Sequence, residues 1–421
     1  MVVAGGFEVV RDPLWNNIGI DEQALAVLDT EPFQRLRYIR QLGHAFLVYP
    51  GATHTRFEHA LGTYHLARRA LLLLEERGHL ANVPADEITL IRLAALLHDI
   101  GHYPFSHALE EAGLPSHEDL AHGHFTHPEL TGALARTGIA NAGDRLANLI
   151  VGQSETPLQG LISGALDLDK IEYLTRDAHM CGVPYGTVDV DRLLHSLTIV
   201  MWDGRKTVGL HEKGVSALES LLFAKYEMYR NVYWHHAVRS ATVMFKRVVR
   251  SAIARGQIQP DWIAQSTDEA LMEALRALHD APIAGRLRRR RLYKRILDLS
   301  AGELAPGAGA WIAEDPDLLA RVEDRLAAEA GVAPGDLLLD FPAKPEMLAG
   351  GIPILTRAGT VAPVRLGIEG VAEELHTAAR RFRVYAATAV ALDREGLRAL
   401  AESSGEEMRN GLEQEKALLK R

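Results

Sequence analysis

The most distinctive segment of the chain reads His98-Asp99-Ile100-Gly101-His102-Tyr103-Pro104-Phe105-Ser106-His107. It follows an apolar stretch, residues 91–97, that contains no helix breaker. This pattern predicts a buried helix whose last turn carries His98 and Asp99, with the glycine and proline of the segment ending it. Burying imidazoles and a carboxylate at a helix end costs free energy unless a partner compensates them. A metal cation would be such a partner.

Composition and charge narrow the class of protein. The 421 residues are 47% hydrophobic and 24% charged, which is typical of a globular protein with a substantial core. The formal charge of −9 argues against a general nucleic-acid coat, so a small anionic substrate would need its own cationic pocket. Cys181 is the only cysteine, which excludes an intrachain disulfide and fits a reducing cytoplasm.

No apolar run approaches the roughly 18 residues of a membrane span, and charged residues interrupt the first twelve positions, where a signal peptide needs an apolar core. We therefore expect a cytoplasmic protein that does not bind membranes.

Hydrophobic spacing predicts a mainly α protein with a smaller α+β part at its C-terminus. The segments with helical spacing are residues 21–42, 54–77, 158–179 and 215–255. Two short strands, 197–201 and 207–210, are predicted to form a hairpin through Asp203-Gly204. Beyond residue 255, small amphipathic helices alternate with short β-like runs, which predicts a helical domain over residues 1–255 and an α+β region over 256–421.

Histidines cluster in the first third of the chain. Twelve of the nineteen lie between His44 and His127. Imidazoles together with carboxylates suit divalent Zn, Fe, Mn, Co or Ni. His59, the pair His98 and Asp99, and a distant aspartate would form a site with positions open for water and substrate, which is the arrangement of a catalytic metal centre.

Four blocks, in this order, resemble the HD-domain phosphohydrolases, most closely the deoxynucleoside triphosphate triphosphohydrolases of the SAM and HD domain type. The blocks are 33–43 (FQRLRYIRQLG), 56–59 (RFEH), 98–107 (HDIGHYPFSH), and 167–173 (DLDKIEY) with 176–177 (RD). The resemblance covers most of the first 240 residues and implies an HD-domain helical core. It also implies hydrolysis of deoxynucleoside triphosphates to a deoxynucleoside and triphosphate.

The resemblance implies a role for each matching residue. A divalent ion (Mn, Fe, Zn, Co, Ni or Mg) would be held by His59, His98, Asp99 and Asp169. The catalytic residues would be His102, His117 and Asp99, with the two histidines as candidates for proton transfer to the leaving oxygen. The implied substrate contacts are His107 at the α-phosphate, Arg56, Lys170, Lys225 and Tyr173 along the phosphates, Gln41 and Asp177 at the 3′-hydroxyl, and Tyr233 against the 2′ position.

Structural interpretations of the same residues stay open. Arg56 could simply pair with Glu58 or Asp99, and His117 could belong to a solvated histidine cluster with the histidines at 122, 124 and 127. Gln41 and Asp177 could be surface polar residues, Lys225 a solvated lysine and Tyr233 a core residue. Alternative functions are hydrolysis of nucleoside monophosphates or cyclic nucleotides, or a non-catalytic nucleotide sensor or single-stranded nucleic-acid binder.

Two features bear on regulation and partners. Asp29 and Arg37 match positions that bind activating nucleotides in relatives, but residues 12–18 read DPLWNNI where those relatives have DPIHGHI, so activation is not assumed. The basic run Arg286 to Arg291 is either a solvated helix face or a contact for a nucleotide or nucleic acid at a subunit interface. A homo-oligomer is expected from the resemblance, and nucleic-acid binding is not favoured.

Overall fold

A computed structural model describes residues 8–278, 282–343, 351–363, 375, 377–414 and 416–419. The prediction of a mainly α protein is confirmed. The β-like runs predicted at 352–355 and 382–385 are confirmed as strands, whereas residues 344–350 and 364–374 of the same region lie outside the described residues. The α-helices in the described part are α1 (Glu22–Leu28), α2 (Glu31–Gln34), α3 (Arg56–Glu76), α4 (Ala85–Leu97), α5 (His117–Phe125), α6 (Pro128–Ala135), α7 (Ala142–Ile150), α8 (Leu168–Cys181), α9 (Val190–Leu194), α10 (Val215–Met228), α11 (His236–Ala254), α12 (Pro260–Gln265), α13 (Asp268–Ala277), α14 (Pro282–Arg288), α15 (Ala310–Glu314), α16 (Pro316–Glu329), α17 (Arg394–Glu402) and α18 (Gly405–Glu413).

The strands form three small sheets within the described residues. The strands are β1 (Glu8–Asp12), β2 (Asn16–Ile20), β3 (Leu197–Trp202), β4 (Arg205–His211), β5 (Lys294–Ser300), β6 (Leu337–Asp340), β7 (Pro353–Leu355), β8 (Val361–Pro363) and β9 (Arg381–Ala386). The sheet orders are β1-β2, β3-β4-β7-β8 and β5-β9-β6, and all neighbours are antiparallel except β4 and β7. The predicted hairpin is confirmed as β3 and β4, which meet at Trp202 and Arg205.

Helix α3 lies at the centre of the N-terminal part and packs against α4 and α8. It begins with a capping box in which Thr55 and Glu58 satisfy each other's backbone groups. Its buried face carries Leu61, Tyr64 and Leu71, which join a core shared with the neighbouring helices. Because the three helices that carry the predicted metal ligands pack together, their first or last turns come close in space.

Four helix predictions are corrected. The segment 21–42 is not one helix, because a 3₁₀ turn (Arg35–Tyr38) follows α2 and Ile39 is extended. The helix predicted over 158–179 begins only at Leu168, where the side chain of Asp167 accepts a hydrogen bond from the amide of Lys170. The segment 215–255 is interrupted by a π-helical turn (Tyr229–Tyr233). His98 and Asp99 follow the last residue of α4 instead of lying inside the helix.

The division at residue 255 stays a prediction. Strand β7 pairs with β4, with Leu210 opposite Ile354, and β8 pairs with β7, so two strands from beyond that residue belong to a sheet of the earlier part. Three larger hydrophobic clusters run through the described residues, one among the N-terminal helices, one around α11 and one among the elements from β5 to α18.

Candidate metal centre and active site

Local structure points each predicted metal ligand into one pocket. The cap at Thr55 starts α3, so that Arg56 and His59, three residues apart, share a helix face. Asp169 is the second residue of α8, two positions after the capping Asp167. His98 occupies the C-cap position of α4. The ligands therefore stand at the ends of three helices that pack together.

The four predicted ligands are brought together. Nε2 of His59 lies 3.1 Å from Nε2 of His98 and 2.9 Å from Oδ1 of Asp169. His98 Nε2 is 3.5 Å from the same Asp169 oxygen. The carboxylate of Asp99 lies 3.5 Å from His59 and 3.4 Å from His98. The ligand atoms of His59, His98 and Asp169 therefore lie within 4.8 Å of one another, and the carboxylate of Asp99 adjoins both imidazoles.

In both His59 and His98, the second ring nitrogen, Nδ1, lies within hydrogen-bonding distance of an acceptor. Nδ1 of His59 lies 2.6 Å from Oε2 of Glu172, and Nδ1 of His98 lies 3.0 Å from the carbonyl oxygen of Ala95. An acceptor at Nδ1 requires the N–H there, which leaves the Nε2 lone pair pointing into the pocket. Such carboxylate and carbonyl partners are usual behind metal-bound histidines.

The electrostatics of the pocket also favour a cation. Burial opposes protonation of His59, but Asp169, Glu172 and Asp99 outweigh it and raise its pKa to about 10. Burial likewise opposes ionisation of Asp99, yet Arg56 and the neighbouring histidines hold its pKa well below the usual range. Three carboxylates around His59 thus stabilise positive charge at this point. The donor set of two nitrogens and two carboxylates fits a divalent transition metal.

A second group of side chains adjoins the pocket. Oε2 of Glu110 accepts from Nδ1 of His107 at 3.0 Å, and its Oε1 accepts from Nδ1 of His117 at 2.8 Å. The ring of His102 stacks on that of His117, with centroids 3.8 Å apart. His102 Nε2 lies 3.0 Å from Oδ1 of Asp99, so His102 connects this group to the candidate metal ligands.

The members of this second group differ in exposure and charge. His102 is fully buried, whereas the side chains of His117 and His107 are 13% and 57% exposed. Burial opposes protonation of His117, but the adjacent Glu110 outweighs it and raises its pKa. Sequence reasoning missed Glu110, although its position three residues after His107 was a usable signal.

Two of the side chains predicted to contact the phosphates, Arg56 and Lys170, bind protein groups in this structure. Arg56 is buried and pairs with Asp99, Nη1 to Oδ2 at 2.6 Å, while its Nε donates to Oγ of Ser106 at 3.1 Å. The ion pair of Arg56 and Asp99 is therefore present, which was one of the two interpretations. The ammonium of Lys170 donates to Asp167 at 2.5 Å and to the carbonyl of Gly164 at 2.8 Å.

The predicted sugar contacts lie among buried groups. Asp177 is buried, and its two oxygens lie 2.7 Å from Nε2 of His54 and 2.7 Å from the hydroxyl of Tyr233. Gln41 is also buried, and its Oε1 has no hydrogen-bond partner among the described residues. Lys225 is buried, so it is not a solvated surface lysine.

Tyr173 is half-buried on α8. Burial and the acidic groups near it raise its pKa well above the usual value.

A buried network behind His59 was not predicted. Oε1 of Glu172 accepts from Nε of Arg176 and from the indole nitrogen of Trp15, both at 2.8 Å. Arg176 in turn pairs with Asp12 at 3.0 Å. Trp15 stands where activated relatives have a histidine, and here its indole supports the carboxylate that orients His59. The partners are more than 150 residues apart in sequence for Trp15 and Glu172, so no local pattern could reveal them.

The residues singled out for regulation make no hydrogen bond or ion pair with the candidate metal ligands in the described part of the chain. Asp29 is exposed at the end of α1, and the guanidinium of Arg37 stacks 3.5 Å above the ring of Phe57. In the basic run, Arg288 pairs with Glu269 at 3.2 Å. The backbone of Arg290 has a positive φ of 53°, and its Nε donates to the carbonyl of residue 47 at 2.7 Å.

Within the described residues, no helix is both long and apolar enough to cross a membrane. Residues 56–170 match the HD domain, and residues 188–389 match the HD associated region.

The chain is similar in sequence to known proteins and similar in fold to solved structures. An uncharacterised protein of Methanocaldococcus jannaschii, MJ1154, is 36% identical over 355 residues, which is 84% of this chain and 73% of that protein. The deoxynucleoside triphosphate triphosphohydrolase SAMHD1 of Bos taurus is 30% identical over 263 residues, 54% of this chain and 44% of that protein, so the chain spans under half of that relative. A crystal structure of a hypothetical protein from Aquifex aeolicus has a TM-score of 0.70 at 28% identity and covers 97% of this chain and all of that one. With its paired histidines and aspartates in one pocket, the chain belongs to the HD-domain phosphohydrolase family.

Proposed function

We propose that the protein hydrolyses deoxynucleoside triphosphates to a deoxynucleoside and triphosphate, with a divalent ion held by His59, His98, Asp99 and Asp169. The observation that carries this proposal is the convergence of these donors while an acceptor occupies Nδ1 of each imidazole. A bound divalent ion would lower the pKa of water and polarise a phosphoryl oxygen. In the proposed reaction, water adds to the α-phosphorus, the bond to the 5′-oxygen breaks, and that oxygen takes up a proton.

Proton delivery to the 5′-oxygen is assigned to His117. Its side chain is partly exposed, whereas His102 is fully buried. The hydrogen bond from Nδ1 to Glu110 supports the protonated form and leaves Nε2–H as the donor. His102 then acts by stacking on His117 and by contacting Asp99. His107, held by the other oxygen of Glu110, would face the α-phosphate.

The remaining substrate contacts extend the same proposal. Fixed cations suit the clustered negative charges of a triphosphate, and Arg56, Lys170 and Lys225 are proposed for that role, with Tyr173 beside them. Gln41 offers a buried amide oxygen that lacks a protein partner among the described residues, which supports a contact with the 3′-hydroxyl. Asp177 would share this contact.

Tyr233 is anchored to Asp177 through its hydroxyl at 2.7 Å. A ring fixed in this way would reject a 2′-hydroxyl by steric overlap, which favours deoxyribose. Assembly into a homo-oligomer and residence in the cytoplasm also remain proposals, supported by the relation to SAMHD1 and by the amino-acid composition respectively.

The test is a product assay with Mn and each of the four deoxynucleoside triphosphates. Triphosphate in equal amount to the deoxynucleoside is the expected result, and Asp169→Asn should abolish it. Asp191→Asn, which alters an exposed carboxylate paired with Arg69, is the matched control and should retain activity.

Release of orthophosphate from nucleoside monophosphates, or conversion of cyclic nucleotides to nucleoside monophosphates, without turnover of deoxynucleoside triphosphates, would replace the proposed substrate. Binding of nucleotides that never turn over would instead indicate a sensor.

A further inference from the structure

A buried guanidinium connects the C-terminal part of the chain to the second group of histidines. Arg239 lies on α11, and its Nη1 and Nη2 donate to the two carboxylate oxygens of Glu111 at 2.9 and 2.8 Å. The same guanidinium donates to Asp340 on β6, at 2.6 Å from Nη2 and 3.0 Å from Nε. One side chain thus holds two carboxylates that are 229 positions apart in the sequence.

Glu111 directly follows Glu110, whose carboxylate binds the imidazoles of His107 and His117. Two other side chains of α11 also bind this short stretch. The ammonium of Lys246 lies 3.0 Å from Oε2 of Glu111, and Arg250 donates to the carbonyl oxygen of Ala112 at 2.6 Å. The backbone from which Glu110 projects is therefore fixed by α11.

The positions of the Glu111 and Asp340 carboxylates depend on each other because both bind the buried guanidinium of Arg239. Arg239 is 4% exposed and Asp340 is 1% exposed. A buried charge that loses one of its partners becomes strongly unfavourable, and the rigid fork of a guanidinium fixes the directions of its bonds. A shift of β6 that moves Asp340 must therefore move Arg239, and with it Glu111.

We propose that Arg239 is a positioning residue that sets the orientation of Glu110, and through it of His107 and His117, according to the placement of β6. Arg239 contacts none of the four candidate metal ligands through a hydrogen bond or ion pair in the described residues. The inference rests on the proposed function, because the two histidines act only if the enzyme hydrolyses nucleotides. The C-terminal part would then control turnover without supplying a catalytic group.

The decisive variant is Asp340→Asn, which keeps the shape of the side chain and removes its charge. We expect kcat with deoxynucleoside triphosphates to fall about 10- to 100-fold, because small misplacements of catalytic groups have effects of this size. KM and bound Mn should change less than about twofold on the same argument, since the metal ligands stay in place.

The matched control is Asp324→Asn. Asp324 also pairs with an arginine of α11, Arg247, at 2.5 Å, but this pair does not reach Glu111. It should leave kcat and KM unchanged.

A second measurement does not depend on activity. In protein labelled with ¹⁵N-histidine, the imidazole signals of His107 and His117 should report an N–H at Nδ1 in the wild type and should change in Asp340→Asn but not in Asp324→Asn. If Asp340→Asn does not fold, Glu111→Gln is used in its place, because the Glu111 side chain is 32% exposed.

A folded variant with unchanged kcat and unchanged imidazole signals would overturn the proposal. If the wild type turns over no nucleotide, the proposed function is overturned. If the imidazole signals of His107 and His117 still differ between the wild type and Asp340→Asn, the connection through Arg239 stands.

Discussion

Replacing Glu172 by glutamine should weaken metal binding although Glu172 is not one of the candidate ligands. The carboxylate accepts from Nδ1 of His59 on one side and from Arg176 and Trp15 on the other. An amide supplies one acceptor and one donor in place of two acceptors. If its oxygen faces Arg176, its NH₂ faces Nδ1 of His59 and forces the N–H to Nε2, where the metal should bind. If the amide is reversed, its NH₂ faces Nε of Arg176 and the indole nitrogen of Trp15, which are both donors.

The expected magnitude follows from these contacts. Partners that orient metal-binding histidines typically contribute about 10- to 100-fold in metal affinity, which corresponds to about 1.4 to 2.7 kcal/mol. The glutamine variant should therefore bind Mn or Zn that much more weakly. The affinity is measured by titrating metal-free protein in competition with a chromophoric chelator.

The control for this experiment is Glu58→Gln. Glu58 is the residue before His59 and receives hydrogen bonds from the backbone amide and hydroxyl of Thr55 at the helix cap, so the same chemical change is made without contact to the imidazole. It should leave the affinity within about twofold, because a cap affects helix stability by only about 1 kcal/mol. Equal metal affinities for folded Glu172→Gln and wild type would refute the tautomer argument.

Three further outcomes can be checked. Burial and the nearby Arg40 lower the pKa of His44 to about 3, whereas the unfolded residue titrates near 6.5. Since only the unfolded state takes up this proton, the free energy of unfolding should fall as the pH drops below 6.5. At pH 5 this single histidine should account for about 2 kcal/mol of the fall, and urea titrations of His44→Phe should lack that contribution. Gly62→Ala would place a Cβ 1.9 Å from Oε1 of Glu172, so we expect a loss of about 1 to 3 kcal/mol in the free energy of unfolding and a weaker metal affinity. Removing the metal with a chelator should lower the melting temperature, because an ion present at about 100 times its Kd stabilises the fold by about 2.7 kcal/mol.

Local patterns predicted the parts of the site that a helix or a short motif fixes. The start of α3 and the pairing of Arg56 with His59 on one face follow from spacing, and His98 with Asp99 stands out as a polar pair after an apolar run. Asp169 came only from the resemblance, since a carboxylate in the first turn of a helix is common. The late start of α8 had a signal that was overlooked, namely the two glycines at 160 and 164.

The interruption of the helix predicted over 215–255 had no such signal. No proline or glycine marks residues 229–233, and the π-helical turn aligns Tyr233 with Asp177 of another helix. Glu172 and Arg239 were also missed, because their partners are far away in the sequence. Hydrophobic spacing describes which face of a helix is buried, and it carries no information about which buried charges meet.

The turn between His102 and His107 shows why residues beyond 255 matter to the site wherever the domain boundary falls. Phe105 and Ser106 have positive φ angles of 58° and 57°, a conformation that is unfavourable for side chains with a Cβ by roughly 1 to 2 kcal/mol each. The backbone amide of Phe105 donates to Oδ1 of Asp268 at 2.8 Å, and Asp268 is almost completely buried. A fragment that ends at residue 255 would lose this acceptor and leave a strained turn with a buried, unpaired amide. We therefore expect such a fragment to lose the arrangement of His102 and His107 even if every candidate metal ligand is present.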